Sequence, residues 1–263
     1  MTTPAFTIAG EKTGTVTLSL SEGPHWLIAG KAGSGKTNLV NGLLVSMMEK
    51  YTPDQLNICW IDPRKTETEP YKGTPFCPID PVVDMGDAYG LMEYLVREMN
   101  RRHDMIDRVC ASNIDEFNTW VEDNPVIAGE KDLKTLPYIV VAINDYADMV
   151  AQSPQVEESI RKLVQKAHTV GIHLIVVTQR PSATIISQDI KANLSARVCL
   201  PVADETASCI AIEQPGAEKL ERPGDMLFKD RAGQVTFLQS KYISHEKVRE
   251  VCEKSKELYG KPQ

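Results

Sequence analysis

Eight residues, Gly30-Lys31-Ala32-Gly33-Ser34-Gly35-Lys36-Thr37, follow the order G-x-x-x-x-G-K-T. Glycines at these places let a loop turn its backbone N–H groups inward, and a helix starting at Lys36 adds partial positive charge. Such a loop cradles phosphates. Lys36 would meet the β- and γ-phosphates of ATP, and Thr37 would offer its hydroxyl to Mg2+. The flanks fit. "HWLIAG" ahead of it reads as a buried strand. "TNLVNGLLVSMMEK" after it carries two i, i+4 rows, Leu39-Leu43-Met47 and Val40-Leu44-Met48, that share one helix face.

A second stretch, "LPYIVVAINDYADM", supplies the groups that could act on a bound nucleotide. Ile139 to Ile143 are apolar and β-prone, as in a strand covered on both faces of a parallel sheet. In a nucleotide hydrolase such a strand usually carries an acid to magnesium at its carboxyl end. Here Asn144 comes first and Asp145 follows. The Asn144 amide oxygen can accept a hydrogen bond from a magnesium-bound water but brings no charge, which leaves Asp145 to act as the base. Successive strand residues point to opposite faces, so Asp145 cannot simply replace Asn144. Asp148 is a further acid in reach.

These groups need a sheet to position them, and the chain supplies one. Strand-like "LNICWID", "IHLIVVT", "ARVCLPV" and "DMLFKD" alternate with the helical "DAYGLMEYLVREMNRRHDMIDRV", "VEESIRKLVQKAHTV" and "SHEKVREVCEKSKEL". In the long helix, Ala88, Leu91, Leu95, Met99 and Ile106 form the buried stripe. "IDEFNTWVED" is expected as a short helix, "NPVIAGEKDLKT" as a polar loop and "QVTFLQ" as an edge strand. At the N-terminus "AFTIAG" and "GTVTLSL" flank the turn-like "EKTG", a β-hairpin pattern. The fold class is therefore α/β, a three-layer P-loop NTPase of RecA-like type with a mostly parallel central sheet. Residues 1–23 are read as an N-terminal hairpin extension and 24–263 as the ATPase domain.

Composition narrows the setting. The 263 residues suffice for one large core, and six scattered cysteines without a CxxC pair point to a reducing cytoplasm. No apolar run reaches the roughly 20 residues of a membrane span. A net charge of −7 argues against wholesale coating of nucleic acid. Between Arg161 and Arg197, however, six Lys or Arg face a single acid, Asp189. That stretch is either a local basic surface or a set of solvated cations.

Taken together, "PHWLIAGKAGSGKT", "WIDPRKTETEPYKGTP", "VVDMGDAYGLMEYLVREMNRRHDMI", "LPYIVVAINDYADM", "QKAHTVGIHLIVVTQRPS", "IKANLSARV" and "QPGAEKLERPGDML" resemble the motor domain of the FtsK/SpoIIIE family of DNA translocases. The resemblance runs from about Pro24 to Leu258. It implies a hexameric ring of identical subunits that hydrolyses ATP and drives double-stranded DNA through its centre. It further implies that Gln179 senses the γ-phosphate and that Arg197 reaches a neighbour's nucleotide. The alternative for Arg197 is an ion pair with an acid of its own chain. By the same resemblance "SATIISQDIKAN" faces the channel, with Arg180 and Lys191 as candidate DNA phosphate contacts.

Three departures qualify what the resemblance implies. Family strands usually end in Asp-Glu, whereas this one ends in Asn144-Asp145. Cys209 stands where many relatives carry Arg. Membrane segments and a C-terminal winged helix are missing, so any membrane tether would be a separate anchor protein. Nucleotide binding is expected to survive and turnover to weaken, and restoring Asp-Glu is expected to raise turnover at least about tenfold. Three functions follow: a DNA-translocating motor, such as mobile elements use; a nucleotide-binding adaptor with weak turnover; or a motor for protein secretion.

Overall fold

The computed structural model describes residues 4–10, 14–20, 23–65, 67–182 and 185–260. In chain order the elements are β1 Ala5–Gly10, β2 Gly14–Ser19, β3 Trp26–Ala29, α1 Lys36–Met48, β4 Leu56–Ile61, α2 Met85–Asp107, α3 Ile114–Asp123 and α4 Pro125–Glu130. They continue with β5 Tyr138–Ile143, α5 Tyr146–Gln152, α6 Val156–Lys166, β6 Ile172–Thr178, α7 Gln188–Asn193 and β7 Ala196–Cys199. The chain closes with α8 Glu205–Ile212, β8 Asp225–Lys229, β9 Val235–Gln239 and α9 His245–Tyr259.

Seven strands form one sheet in the order β4-β5-β6-β3-β7-β8-β9. The first five run parallel, and β8 and β9 are antiparallel additions at one end. Every residue of β3, β5 and β6 is buried, so both faces of the sheet are covered. That explains why these strands read as unbroken apolar runs rather than as alternating ones. Both expected rows of α1 and the whole stripe of α2 lie in the core. The α2 N-terminus is capped by Asp84, whose carboxylate accepts from the N–H groups of Gly86 and Asp87.

The hairpin pairs in register from Ala5↔Ser19 to Gly10↔Gly14, and its expected turn lies outside the described residues. It is not a loose appendage. Phe6 is buried edge-on against Trp26, with ring centres 5.0 Å apart, and Leu20 lies in the same core. One expectation needs correction: the polar stretch after α3 is not all loop. Pro125 opens the short helix α4, where its missing N–H is no loss, and Ala128 anchors it by burial.

At the amino-terminal edge of the parallel strands, a cavity of about 420 Å³ is lined in part by His25, Tyr138, His168 and His173. His25 Nδ1 accepts from the Leu174 N–H at 3.1 Å, and His173 Nδ1 donates to the Pro24 carbonyl at 2.8 Å. Burial pushes His25 well below the usual histidine range and His173 down to about 4, with neighbouring imidazoles adding to the shift. The unfolded chain takes up these protons from about pH 6.5, whereas the folded chain resists until much lower. Stability therefore falls as pH drops below that point. His173 alone should cost about 2 kcal/mol between pH 7 and pH 5, read as a lower urea midpoint. The variant His173→Phe should flatten that part of the slope.

Candidate functional site

The phosphate loop joins β3 to α1, at the carboxyl end of the parallel strands where ligands of such sheets bind. Gly33 and Gly35 have φ of 74° and 99°, values that side-chain-bearing residues rarely adopt. A Cβ on Gly30 would stand 2.5 Å from Ser34 Oγ. The Lys36 ammonium is nearly buried and donates to the Gly30 and Lys31 carbonyls at 2.7 and 2.8 Å. Burial lowers its pKa to about 8, with Asp145 pulling it up and Arg64 pushing it down.

Later parts of the chain hold this loop in place. The Lys31 N–H donates to Pro201 O at 2.8 Å and the Gly224 N–H donates to Ser34 O at 3.0 Å. On the far side, Asn38 exchanges two hydrogen bonds with the Ile243 backbone, at 2.6 and 3.1 Å. A cavity of about 420 Å³ opens beside the loop, and its wall includes Lys36, Thr37, Asn144, Asp145 and Gln179. The sequence-predicted nucleotide groups are thus brought together in one place.

The candidate catalytic pair, Asp145 and Gln179, takes shape across two adjacent strands. Asp145 follows β5 with φ 63°, a left-handed conformation that Asp tolerates better than most residues. Gln179 follows β6, and its Nε2 donates to Asp145 Oδ2 at 3.2 Å. The same carboxylate oxygen is in ion-pair contact with Arg64. Burial raises the Asp145 pKa, while Arg64 opposes that rise.

Asn144 has a partner that lies 82 residues away in the chain. Its Nδ2 donates to Asp62 Oδ1 at 3.2 Å, and Asp62 is fully buried at the end of β4. A carboxylate only accepts, so this bond fixes the amide with its nitrogen toward Asp62 and leaves its oxygen for other partners. The missing charge of Asn144 therefore has a neighbour: an acid sits one strand away. This bears on the Asp-Glu restoration, which would set a second carboxylate beside Asp62 and place Glu in a left-handed backbone. The expected simple gain in turnover does not allow for either cost.

Other residues were illegible from sequence. Arg64 and Glu67 reach the cavity from the turn after β4, and Tyr242, Ile243 and His245 close its far side. Tyr242 is 74% exposed, an aromatic face open at the rim. The "DPRK" breaker is the one signal for Arg64: its N–H donates to Asp62 Oδ1 at 3.1 Å in the turn after β4, and its side chain reaches Asp145 after β5.

The residues read as reaching outward are more engaged. Arg197, on β7, gives Nε to Leu194 O at 2.9 Å, Nη2 to Lys191 O at 3.0 Å and Nη1 to Glu213 at 2.8 Å. The acid of its own chain is therefore present, and any reach to a neighbouring subunit requires these bonds to be given up. Glu213 also contacts Lys229, and Lys191 at 3.9 Å, and this crowd of cations holds its carboxyl down at about 2. Cys209 lies one turn before it on α8. Arg180 is exposed just beyond Gln179, and residues 183 and 184 of the adjoining loop lie outside the described residues. Arg161 and Lys162 both pair with Glu158, so the basic stretch is partly neutralised.

The model of the FtsK/SpoIIIE family matches residues 7–183, well over half of the chain. The chain belongs to the FtsK/SpoIIIE family. It is 38% identical over 236 residues to DNA translocase FtsK of Oceanobacillus iheyensis, covering 89% of this chain and 30% of that protein. To DNA translocase SftA of Bacillus subtilis it is 38% identical over 235 residues, 89% of this chain and 24% of that one. This FtsK/SpoIIIE chain thus spans about a quarter to a third of these curated relatives. Among solved structures, the conjugation coupling protein TcpA of pCW3, with ATPγS, superposes with TM-score 0.80 at 25% identity, covering 97% of this chain and 70% of that one. EssC (ATPases 2 and 3) from Geobacillus thermodenitrificans gives TM-score 0.81 at 20% identity over 97% of this chain and 49% of that one, a likeness of fold. The three-layer P-loop ATPase fold read from the sequence is the fold found. Among the described residues no helix is long and apolar enough to cross a membrane.

Proposed function

We propose that this FtsK/SpoIIIE chain is an ATP-hydrolysing motor that moves double-stranded DNA as a ring of identical subunits in the cytoplasm. One observation carries the reading: a glycine loop with a buried Lys36 faces Asp145 and Gln179, held 3.2 Å apart at the ends of neighbouring strands. ATP supplies the phosphoanhydride, and Mg2+ supplies charge for the phosphates. The fit to magnesium is a modest one. Thr37 Oγ1 and the Asn144 amide oxygen are neutral donors, and no cluster of three or more acidic, His or Cys groups forms among the described residues. That suits an ion held mainly by phosphate oxygens with one or two protein contacts.

Within this reading Lys36 binds the phosphates, Asp145 takes a proton from the attacking water and Gln179 orients that water. DNA would be met by Arg180, exposed beside Gln179, and by Lys191. In a ring, Arg197 would have to exchange its internal bonds for the neighbour's nucleotide, a step that assembly must drive. The relatives named DNA translocase support DNA as the cargo.

A second reading, an adaptor that binds nucleotide with little turnover, draws on Asn144. Steady-state ATP hydrolysis with and without kilobase-length linear duplex DNA separates the two. A rise of at least about tenfold on adding DNA is expected for the motor. Tight nucleotide binding with no turnover in either condition selects the adaptor, and turnover indifferent to DNA leaves a protein cargo.

A further inference from the structure

Arg64 sits where no assignment above places a function. It leaves β4 in the tight Asp62 turn and crosses to the end of β5, where its guanidinium meets Asp145 and lies 3.6 Å from Asp148. It lines the same cavity as Lys36, Thr37 and Glu67. The two partners differ in freedom. Asp145 is 4% exposed and fixed by its backbone and Gln179, whereas the Arg64 side chain is 45% exposed. The arginine can swing and the aspartate cannot.

We propose that Arg64 distinguishes ATP from ADP by exchanging Asp145 for the terminal phosphate. This rests on the nucleotide-site reading above. The loop N–H groups would cradle the α- and β-phosphates and Lys36 would span the β- and γ-phosphates, so the third phosphate would lie in the cavity that Lys36 shares with Asp145, Gln179 and Arg64. A guanidinium suits this exchange because its planar fork pairs with phosphate as readily as with carboxylate. While Arg64 holds Asp145, Oδ2 is shared between Gln179 and the arginine, and the cation makes the carboxylate a weaker base. Transfer of Arg64 to a third phosphate releases it. ADP leaves the pair intact, because nothing reaches the arginine. The base is thus exposed only when there is a bond to cleave.

The test is binding, not turnover: ATPγS and ADP titrated with Mg2+ into wild type, Arg64→Gln, Asp145→Asn and the double variant. Asparagine keeps the shape of Asp145 and tolerates its left-handed backbone. Loss of one charge-assisted contact predicts that Arg64→Gln weakens ATPγS at least about tenfold. ADP binding should stay within about threefold, which also shows that the variant is folded. Asp145→Asn frees the arginine and should tighten ATPγS at least about threefold without changing ADP. The double variant should bind ATPγS as Arg64→Gln does. Equal losses for both nucleotides, or no loss, in Arg64→Gln would overturn the proposal. So would tightening that survives in the double variant, because relief of repulsion by Asp145 would then explain it. A wild-type protein that binds neither nucleotide removes the site reading itself, and this proposal with it.

Discussion

Lys36→Ala is expected to lose nucleotide binding by at least about a hundredfold while the fold persists, the upper end of what one charged contact contributes. The ammonium is delivered by the first residue of α1 and is almost buried beneath the loop, so no other cation of the loop can take its place. Lys31, the other loop cation, is exposed. Removing Lys36 takes the donor from the Lys31 carbonyl, on an exposed residue, and from the Gly30 carbonyl, on a buried one; a stability loss of about 1–3 kcal/mol is expected, short of unfolding. Titration of Mg·ATP by calorimetry, alongside a melting curve, reads both quantities. A folded variant with unchanged affinity would take the phosphate loop out of the function.

Asn144→Asp should produce a protein whose stability depends on magnesium. The new carboxylate would face fully buried Asp62 across the contact that the Asn144 amide now makes at 3.2 Å. An uncompensated buried charge costs about 3 kcal/mol or more. For a chain of this size, that corresponds to a fall in melting temperature of roughly 6–12 °C without divalent ion. Mg·ATP should restore much of it, because the cation then sits among the charges. Equal melting temperatures for parent and variant in EDTA would show that Asp62 does not sense position 144.

Much of this site could be read along the chain because its parts are local. The loop, its helix and the rows Leu39-Leu43-Met47 and Val40-Leu44-Met48 lie within 19 consecutive residues. Asn144 and Asp145 stand at the end of a run whose apolar character marks a central strand. What stayed hidden depends on strand order, which no local period encodes. Asp62 meets Asn144 across 82 residues because β4 lies beside β5, and Arg64 follows it there. Glu213 meets Arg197 because α8 returns after β7, and a lone acid in "AIEQPG" gives no sign of that. The helix α4 is hidden for a different reason: its six residues are too few for a hydrophobic period, and only Pro125 marks its start.

The ties that Pro201, Gly224 and Ile243 make to the phosphate loop also set an order of events during synthesis. Asn38 meets Ile243 across 205 residues. A ribosome adds about 5–20 residues each second, so many seconds separate the loop from its last support. The growing chain carries the G-x-x-x-x-G-K-T sequence long before it can hold that sequence in shape. The loop therefore gains this support only once the segment around Ile243 has emerged.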